Sequence, residues 1–325
     1  MSKIAVLNEF SIEAIKDAIQ KLDAFDNLKV NGLYAGQLNE LEAIDPVLYA
    51  QVAENIKADK WIPFAGAWTK SDELSEIGLI KSCLYSARYF LDRFGKKYRV
   101  FHGVKLYNDL FPQIVYSSLF DAAVLDSENE SKWLHGADGF RTLVMHTDTD
   151  DVTDMDDDFI KENEFISYEE LADSFFESHL ELETVFLPSK TVKAENIEKN
   201  LIDAEKYSAV NGEDKTAEIK EAWISHFNGD DESAKKIAEN ITGSNAPDES
   251  GFKLSGSIEL AEIKLAEDGS GDTILRVAQT DGKENSSYIM CDRLNAAFRF
   301  EITPYEIQTF RIGADGRVQE IYICE

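Results

Sequence analysis

Apolar positions in the first half of the chain follow two alternating rhythms. Short runs at Ile4 to Leu7, Val100-Phe101, Ala122 to Leu125 and Thr142 to Met145 read as strands, and the stretches between them repeat at helical spacing. The clearest helix is predicted from about Glu73 to Arg93, where Leu74, Ile77, Ile80, Leu84, Ala87, Phe90 and Leu91 share one face. Ser71 and Asp72 can cap its start, and Gly95 can end it. Another helix is predicted over Pro46 to Lys57, with Pro in the first turn after Asp45, and a third begins near Pro112. Alternation of this kind predicts an α/β domain over residues 1–165, built on a parallel, β/α-barrel-like sheet.

The texture then changes twice. Residues 166–242 carry four helical patterns, Tyr168 to Leu180, Ala194 to Val210, Thr216 to Phe227 and Ser233 to Ile241, and three of these can form a small bundle. The stretch from Gly243 to Gly251 breaks helix and reads as a linker. Residues 252–325 return to alternating runs, with Asp315-Gly316 marking a hairpin, and predict a C-terminal antiparallel β module.

Charge narrows the function classes. The 325 residues include 33 Lys plus Arg against 62 Asp plus Glu, a formal net charge of -29, so the surface repels nucleic-acid backbones and anionic membranes alike. Cys83, Cys291 and Cys324 are odd in number and form no CxxC pair, which reads as reduced thiols. The opening apolar run reaches Asn8 and Glu9 too soon for a signal peptide, and no stretch approaches the ~18 apolar residues of a membrane span. A cytoplasmic protein is expected, and its oligomeric state is left open. The acidic tract from His146 to Asp158 fails the calcium-loop pattern, with Phe159 and Phe165 where Gly and Glu belong, so it is expected to be a solvated, mobile loop. No glycine-rich phosphate loop or Gly-x-Ser-x-Gly elbow occurs, which leaves dinucleotide and acyl-transfer chemistry unsupported.

Five groups of residues, in order, carry a resemblance. Asp45-Pro46-Val47-Leu48-Tyr49 leads on to Trp61 and Gly66-Ala67-Trp68; Leu84-Tyr85-Ser86-Ala87-Arg88-Tyr89-Phe90 precedes Phe94-Gly95; then come Pro112-Gln113-Ile114, Gly136-Ala137-Asp138-Gly139, and Pro304-Tyr305-Glu306-Ile307-Gln308-Thr309-Phe310. Together they make the chain similar to glycoside hydrolase family 38, the α-mannosidases. In that family an α/β domain with a parallel sheet is followed by a three-helix bundle and β domains, and its members are usually longer.

The resemblance implies zinc held by His and Asp, together with a carboxylate nucleophile and a carboxylic acid roughly 5 to 5.5 Å apart. The expected residues are mostly replaced. The family's first His-x-Asp falls near Leu7-Asn8-Glu9-Phe10-Ser11-Ile12, and no His precedes His102. The nucleophile, counted back nine residues from Pro112, falls on Gly103. The His-Arg-Gly segment falls on Phe186-Leu187-Pro188, and the bundle's His-Asp falls near His226-Phe227-Asn228.

Substitutes are few. Asp109 is a weak candidate for a catalytic carboxylate, with helix capping as its ordinary reading. Asp72, His102 and His226 are weak metal candidates, Asp72 fitting a helix cap equally and His102 an ordinary strand end. Trp68, Tyr107 and Tyr34 are candidate sugar-stacking rings, with core packing the alternative. The expectation is a family 38-like protein that has lost efficient hydrolysis and binds a mannose-containing carbohydrate or a partner, with zinc present only if the family site works. Two alternatives stay open: an active retaining α-mannosidase using relocated carboxylates and a divalent metal, and an unrelated acidic α/β binding protein or artificial chain.

Overall fold

The computed structural model describes residues 2–70, 74–103, 111–118, 120–126, 128–136, 139–178, 181–187, 194, 196–243, 251–255, 257–283 and 285–322. The first unit runs β1 (Ile4–Val6), α1 (Ile12–Ala24), β2 (Val30–Tyr34), α2 (Ala35–Ile44), α3 (Pro46–Lys57), β3 (Trp61–Gly66), α4 (Glu76–Phe94), β4 (Val100–Gly103), α5 (Phe111–Ser117) and β5 (Ala122–Leu125). It continues through β6 (Lys132–His135), β7 (Arg141–Met145), β8 (Thr149–Asp151), α6 (Asp157–Glu162), α7 (Tyr168–Ser178) and β9 (Thr184–Phe186). These strands form a nine-stranded sheet in the order β8-β1-β2-β3-β4-β5-β7-β6-β9, with every neighbouring pair parallel except β6–β7.

Both faces of this sheet are covered, so its strands read as unbroken apolar runs rather than alternating ones. Ala5, Leu7, Phe101, Ala123 and Val144 face the layer of α1 to α5. Ile4, Val6, Val100, Ala122, Leu143 and Met145 face the other way, onto Tyr168 and Ala172 of α7. Asn31 in the middle of β2 is fully buried; its Nδ2 donates to the Ala5 carbonyl at 3.1 Å and its Oδ1 accepts from the Tyr168 N–H at 3.2 Å, pinning the start of α7.

Two expectations change here. The helical pattern from Tyr168 lies on the sheet instead of opening the bundle, because its apolar stripe covers an otherwise bare face, and β9 extends the sheet edge beyond residue 165. The acidic tract is regular structure rather than a loose loop. Its Thr149–Asp151 pairs with β1, and Asp151 and Asp156 cap the turn and helix that follow. The backbone of Thr149–Asp151 is held by strand pairing, and the Asp151 and Asp156 carboxylates are used locally as caps, which their charge alone conceals.

Helices α8 (Asn196–Asn211), α9 (Thr216–Phe227) and α10 (Asp231–Thr242) form the bundle. Beyond it, β10 (Phe252–Ser255), β11 (Ile258–Leu265), β12 (Thr273–Gln279), β13 (Asn285–Cys291), β14 (Ala296–Ile302), β15 (Ile307–Ile312) and β16 (Val318–Ile321) make two antiparallel sheets, β10-β13-β14 and β11-β12-β15-β16. Both sheets contribute to one apolar core, including Leu275, Val277, Ile289, Ile302 and Phe310. No helix among the described residues is long and apolar enough to cross a membrane.

The three units meet at buried charges. Lys81 of α4 pairs with Glu205 of α8 and, at 2.6 Å, with Glu262 of β11, which also pairs with Arg276 of β12. The indole N–H of Trp223 in α9 donates to Glu205 at 3.2 Å.

Candidate functional site at the carboxyl ends of the strands

Parallel sheets present ligand sites beyond the carboxyl ends of their strands, where loops diverge. A cavity of about 270 Å³ opens there. Asn8 and Phe10 enter it after β1, Asp126 and Glu128 after β5, and His146 and Thr147 after β7, while Lys70 reaches in from the loop after β3.

One wall is aromatic. Tyr34 meets Phe64 edge-on with ring centres 5.2 Å apart, Phe64 stacks on His102 at 4.6 Å, and His102 meets the edge of Tyr168 at 4.8 Å. Burial between these rings pushes His102 down to about 3, so the imidazole is neutral across the physiological range. Tyr34 is aimed by the backbone. Leu33 sits at a left-handed φ of 69°, and the register of β2 against β3 slips between Asn31 and Tyr34. A bulge with a non-glycine residue in this region is strained, and such strain concentrates at functional sites.

The polar wall is arranged around ion pairs. Lys70 Nζ lies 2.6 Å from Asp126 Oδ2, both side chains about half exposed, and Glu128 pairs with Lys132. The Asp126 N–H donates to the Gly103 carbonyl at 3.1 Å, tying the ends of β4 and β5 together. Gln37 spends its Oε1 on the Tyr34 N–H at 2.9 Å, leaving its amide NH₂ for the cavity.

The sequence candidates fall in different places. Tyr34 and His102 line the cavity. Trp68 does not: it is 3% exposed, its indole N–H donates to Asn228 Oδ1 at 3.0 Å, and its ring meets Tyr89 edge-on, so it is core joining the α/β layer to the bundle. Asp72, Tyr107 and Asp109 lie outside the described residues. His226 belongs to the bundle, with Nδ1 2.6 Å from Asp231 and Nε2 3.7 Å from Glu198. Burial opposes its charged form, but these two carboxylates outweigh burial and raise its pKa.

Position 103 is closed to a side chain. A Cβ built on Gly103 would lie 2.7 Å from Phe101 Cε1, and the Phe101 ring is held in the core against Phe111 and Phe120. From this end of β4 it is His102, inside its aromatic stack, that faces the cavity. The positions with His-x-Asp spacing that enter from β1 are Asn8 and Phe10, and a phenyl ring ligates no cation. Among the described residues no group of three His, Cys, Asp or Glu is placed to hold a metal ion.

No family model matches the chain, and no curated protein sequence matches it. Solved structures do. One is a protein in the glycosyl hydrolase family 38 from Enterococcus faecalis, with a TM-score of 0.54, 11% identity, and coverage of 96% of this chain and 54% of that one. Another is an alpha-mannosidase from Enterococcus faecalis V583, with a TM-score of 0.58, 10% identity, and coverage of 96% and 56%. The fold is that of glycoside hydrolase family 38. This chain spans little more than half the length of those two proteins.

The family 38-like fold explains where the cleft lies, and four of its contributors escaped sequence reading. Asp126, Glu128, Lys70 and Phe64 carry no motif. The signal for Asp126 was its place directly after the apolar run Ala122 to Leu125, the carboxyl end of a parallel strand.

Proposed function

We propose that this chain uses a family 38-like cleft to bind a mannose-containing carbohydrate, or the glycan of a partner, without efficient hydrolysis. The observation that supports this reading best is the pair of cavity edges just described. Asn8 and Phe10 stand at the edge from β1 and His102 at the edge from β4, while Phe101 fills the space beside Gly103. Without a nucleophile, a retaining glycosidase loses several orders of magnitude in rate.

Binding remains well provided for. The aromatic wall offers an apolar surface to the C–H face of a pyranose. Asn8, the NH₂ of Gln37, and the Lys70–Asp126 pair offer donors and acceptors to sugar hydroxyls. The volume sits just below the ~300–1,000 Å³ of drug-sized ligand sites, which suits a single ring.

A second reading has one observation in its favour, since Asp126 and Glu128 line the same cavity and could act as relocated carboxylates. Calorimetric titration with methyl α-mannoside, turnover of an aryl α-mannoside and elemental analysis for zinc separate the two. Saturable binding without turnover supports the binding protein. Turnover with stoichiometric zinc, abolished in Asp126→Asn, overturns it.

A further inference from the structure

Helix α9 of the bundle ends at Phe227, and the last carbonyls of a helix find no partner within it. The Phe227 carbonyl accepts at 2.8 Å from the Thr69 hydroxyl, on the segment that follows β3. Two further bonds hold that segment from other sides. The Trp68 N–H donates to Ser82 Oγ of α4 at 2.6 Å, and the Trp68 carbonyl accepts at 2.8 Å from the Gly36 N–H at the start of α2. Glycine permits so close an approach, since a Cβ on Gly36 would lie 2.5 Å from Thr69 Cγ2.

Directly after this clamp the chain delivers Lys70 to the sugar cleft, where its ammonium lies 2.6 Å from Asp126. The Lys70 side chain is 58% exposed and sits on a flexible four-carbon stem, so the reach of its ammonium depends on where its backbone is anchored. Thr69 is its immediate neighbour and carries the bond to the bundle. Among the described residues no member of the bundle lines the cleft itself.

The geometry points to Thr69 as a positioning residue: its bond to the end of α9 sets Lys70 opposite Asp126, so the bundle supports the cleft from behind without entering it. A group that places a binding residue in this way acts on affinity through that residue alone. This role builds on the carbohydrate reading of the cleft and extends it from the lining residues to the support beneath them.

Thr69→Val keeps the shape of the side chain and removes the donor. In calorimetric titration with methyl α-mannoside it should bind about three- to tenfold more weakly than the native chain, while Thr69→Ser, which keeps a hydroxyl, stays near native. Lys70→Met should show a loss of its own. Thr69→Val added to Lys70→Met should then bring little further loss, because the threonine acts through the lysine. A readout without sugar separates this role from the carbohydrate reading. When lysines are dimethylated with isotopically labelled formaldehyde, the methyl resonance missing from Lys70→Met reports Lys70; Asp126→Asn should move it, and Thr69→Val should move it the same way. If the native chain binds no methyl α-mannoside, the carbohydrate reading fails and the resonance alone decides the role of Thr69. A Lys70 resonance unmoved in Thr69→Val or in Asp126→Asn overturns the assignment. So does native affinity in Thr69→Val, an equal loss in Thr69→Ser, or a loss that adds in full to that of Lys70→Met, since Thr69 would then be packing alone.

Discussion

The side-chain amide of Gln113 in α5 and the backbone of Ile307 in β15 exchange two hydrogen bonds: Gln113 Nε2 donates to the Ile307 carbonyl at 2.9 Å, and the Ile307 N–H donates to Gln113 Oε1 at 3.4 Å. Both residues are buried. This pair of bonds therefore holds the α/β unit against the C-terminal β module. Gln113→Leu should leave the Ile307 groups without partners and lower stability by about 1–3 kcal/mol, read as a reduced urea midpoint. An unchanged midpoint would show the clasp to be dispensable.

A carboxylate placed at position 103 should not produce hydrolysis. Gly103→Asp forces its Cβ into the Phe101 ring, an overpacking that should cost about 1–3 kcal/mol. Turnover of an aryl α-mannoside should stay at the buffer level in the variant. A gain in rate would mean that Phe101 yields and that the side chain reaches the cleft.

The aromatic residues of the cleft can be told apart from those of the core. Trp68→Phe removes the bond to Asn228 and should cost about 1 kcal/mol without altering affinity for methyl α-mannoside. Tyr34→Ala should weaken that affinity. The reverse pattern would return Trp68 to the role of a sugar platform.

Lys81 faces Glu205 and Glu262 with no solvent exposure of its side chain. Lys81→Met leaves two buried carboxylates without their shared cation, a loss of about 3–5 kcal/mol where a buried pair is broken from one side. Chemical denaturation measures it. A cost below about 1 kcal/mol would place the junction in the class of exposed ion pairs.

His226 supplies a pH signature. Its folded pKa lies above the unfolded value of about 6.5, so its stabilising contribution is complete below that pH and disappears as pH rises through the folded value. The gap in urea midpoint between the native chain and His226→Gln should therefore narrow as pH rises above the unfolded value. A gap constant with pH would assign the contacts to Asp231 and Glu198 no role in the titration.

Periodicity showed most of the architecture. The face of α4, the Pro start of α3, the bundle helices and the hairpin at Gly316 all follow from local spacing and turn chemistry. α2 escaped because its apolar residues form no sharp stripe, and β9 because its three residues gain stability only from pairing with β6. Lys253 to Leu265 looked like one strand and is two, β10 and β11 in different sheets, since a change of sheet leaves no mark on alternation. In the cleft, Tyr34 and His102 were legible as ring and strand-end residues. Asp126 and Glu128 were hidden among 62 acids, where nothing but position in the sheet distinguishes a cleft carboxylate from a surface one.

The junction around Lys81 also limits how this architecture can be divided. A β module cut away from the rest would expose Glu262 and Arg276 where a lysine now sits, and the bundle would do the same with Glu205. Neither piece is electrically finished alone. Cutting the chain at either seam would leave a buried charge without its counter-ion, so the three units depend on one another at Lys81.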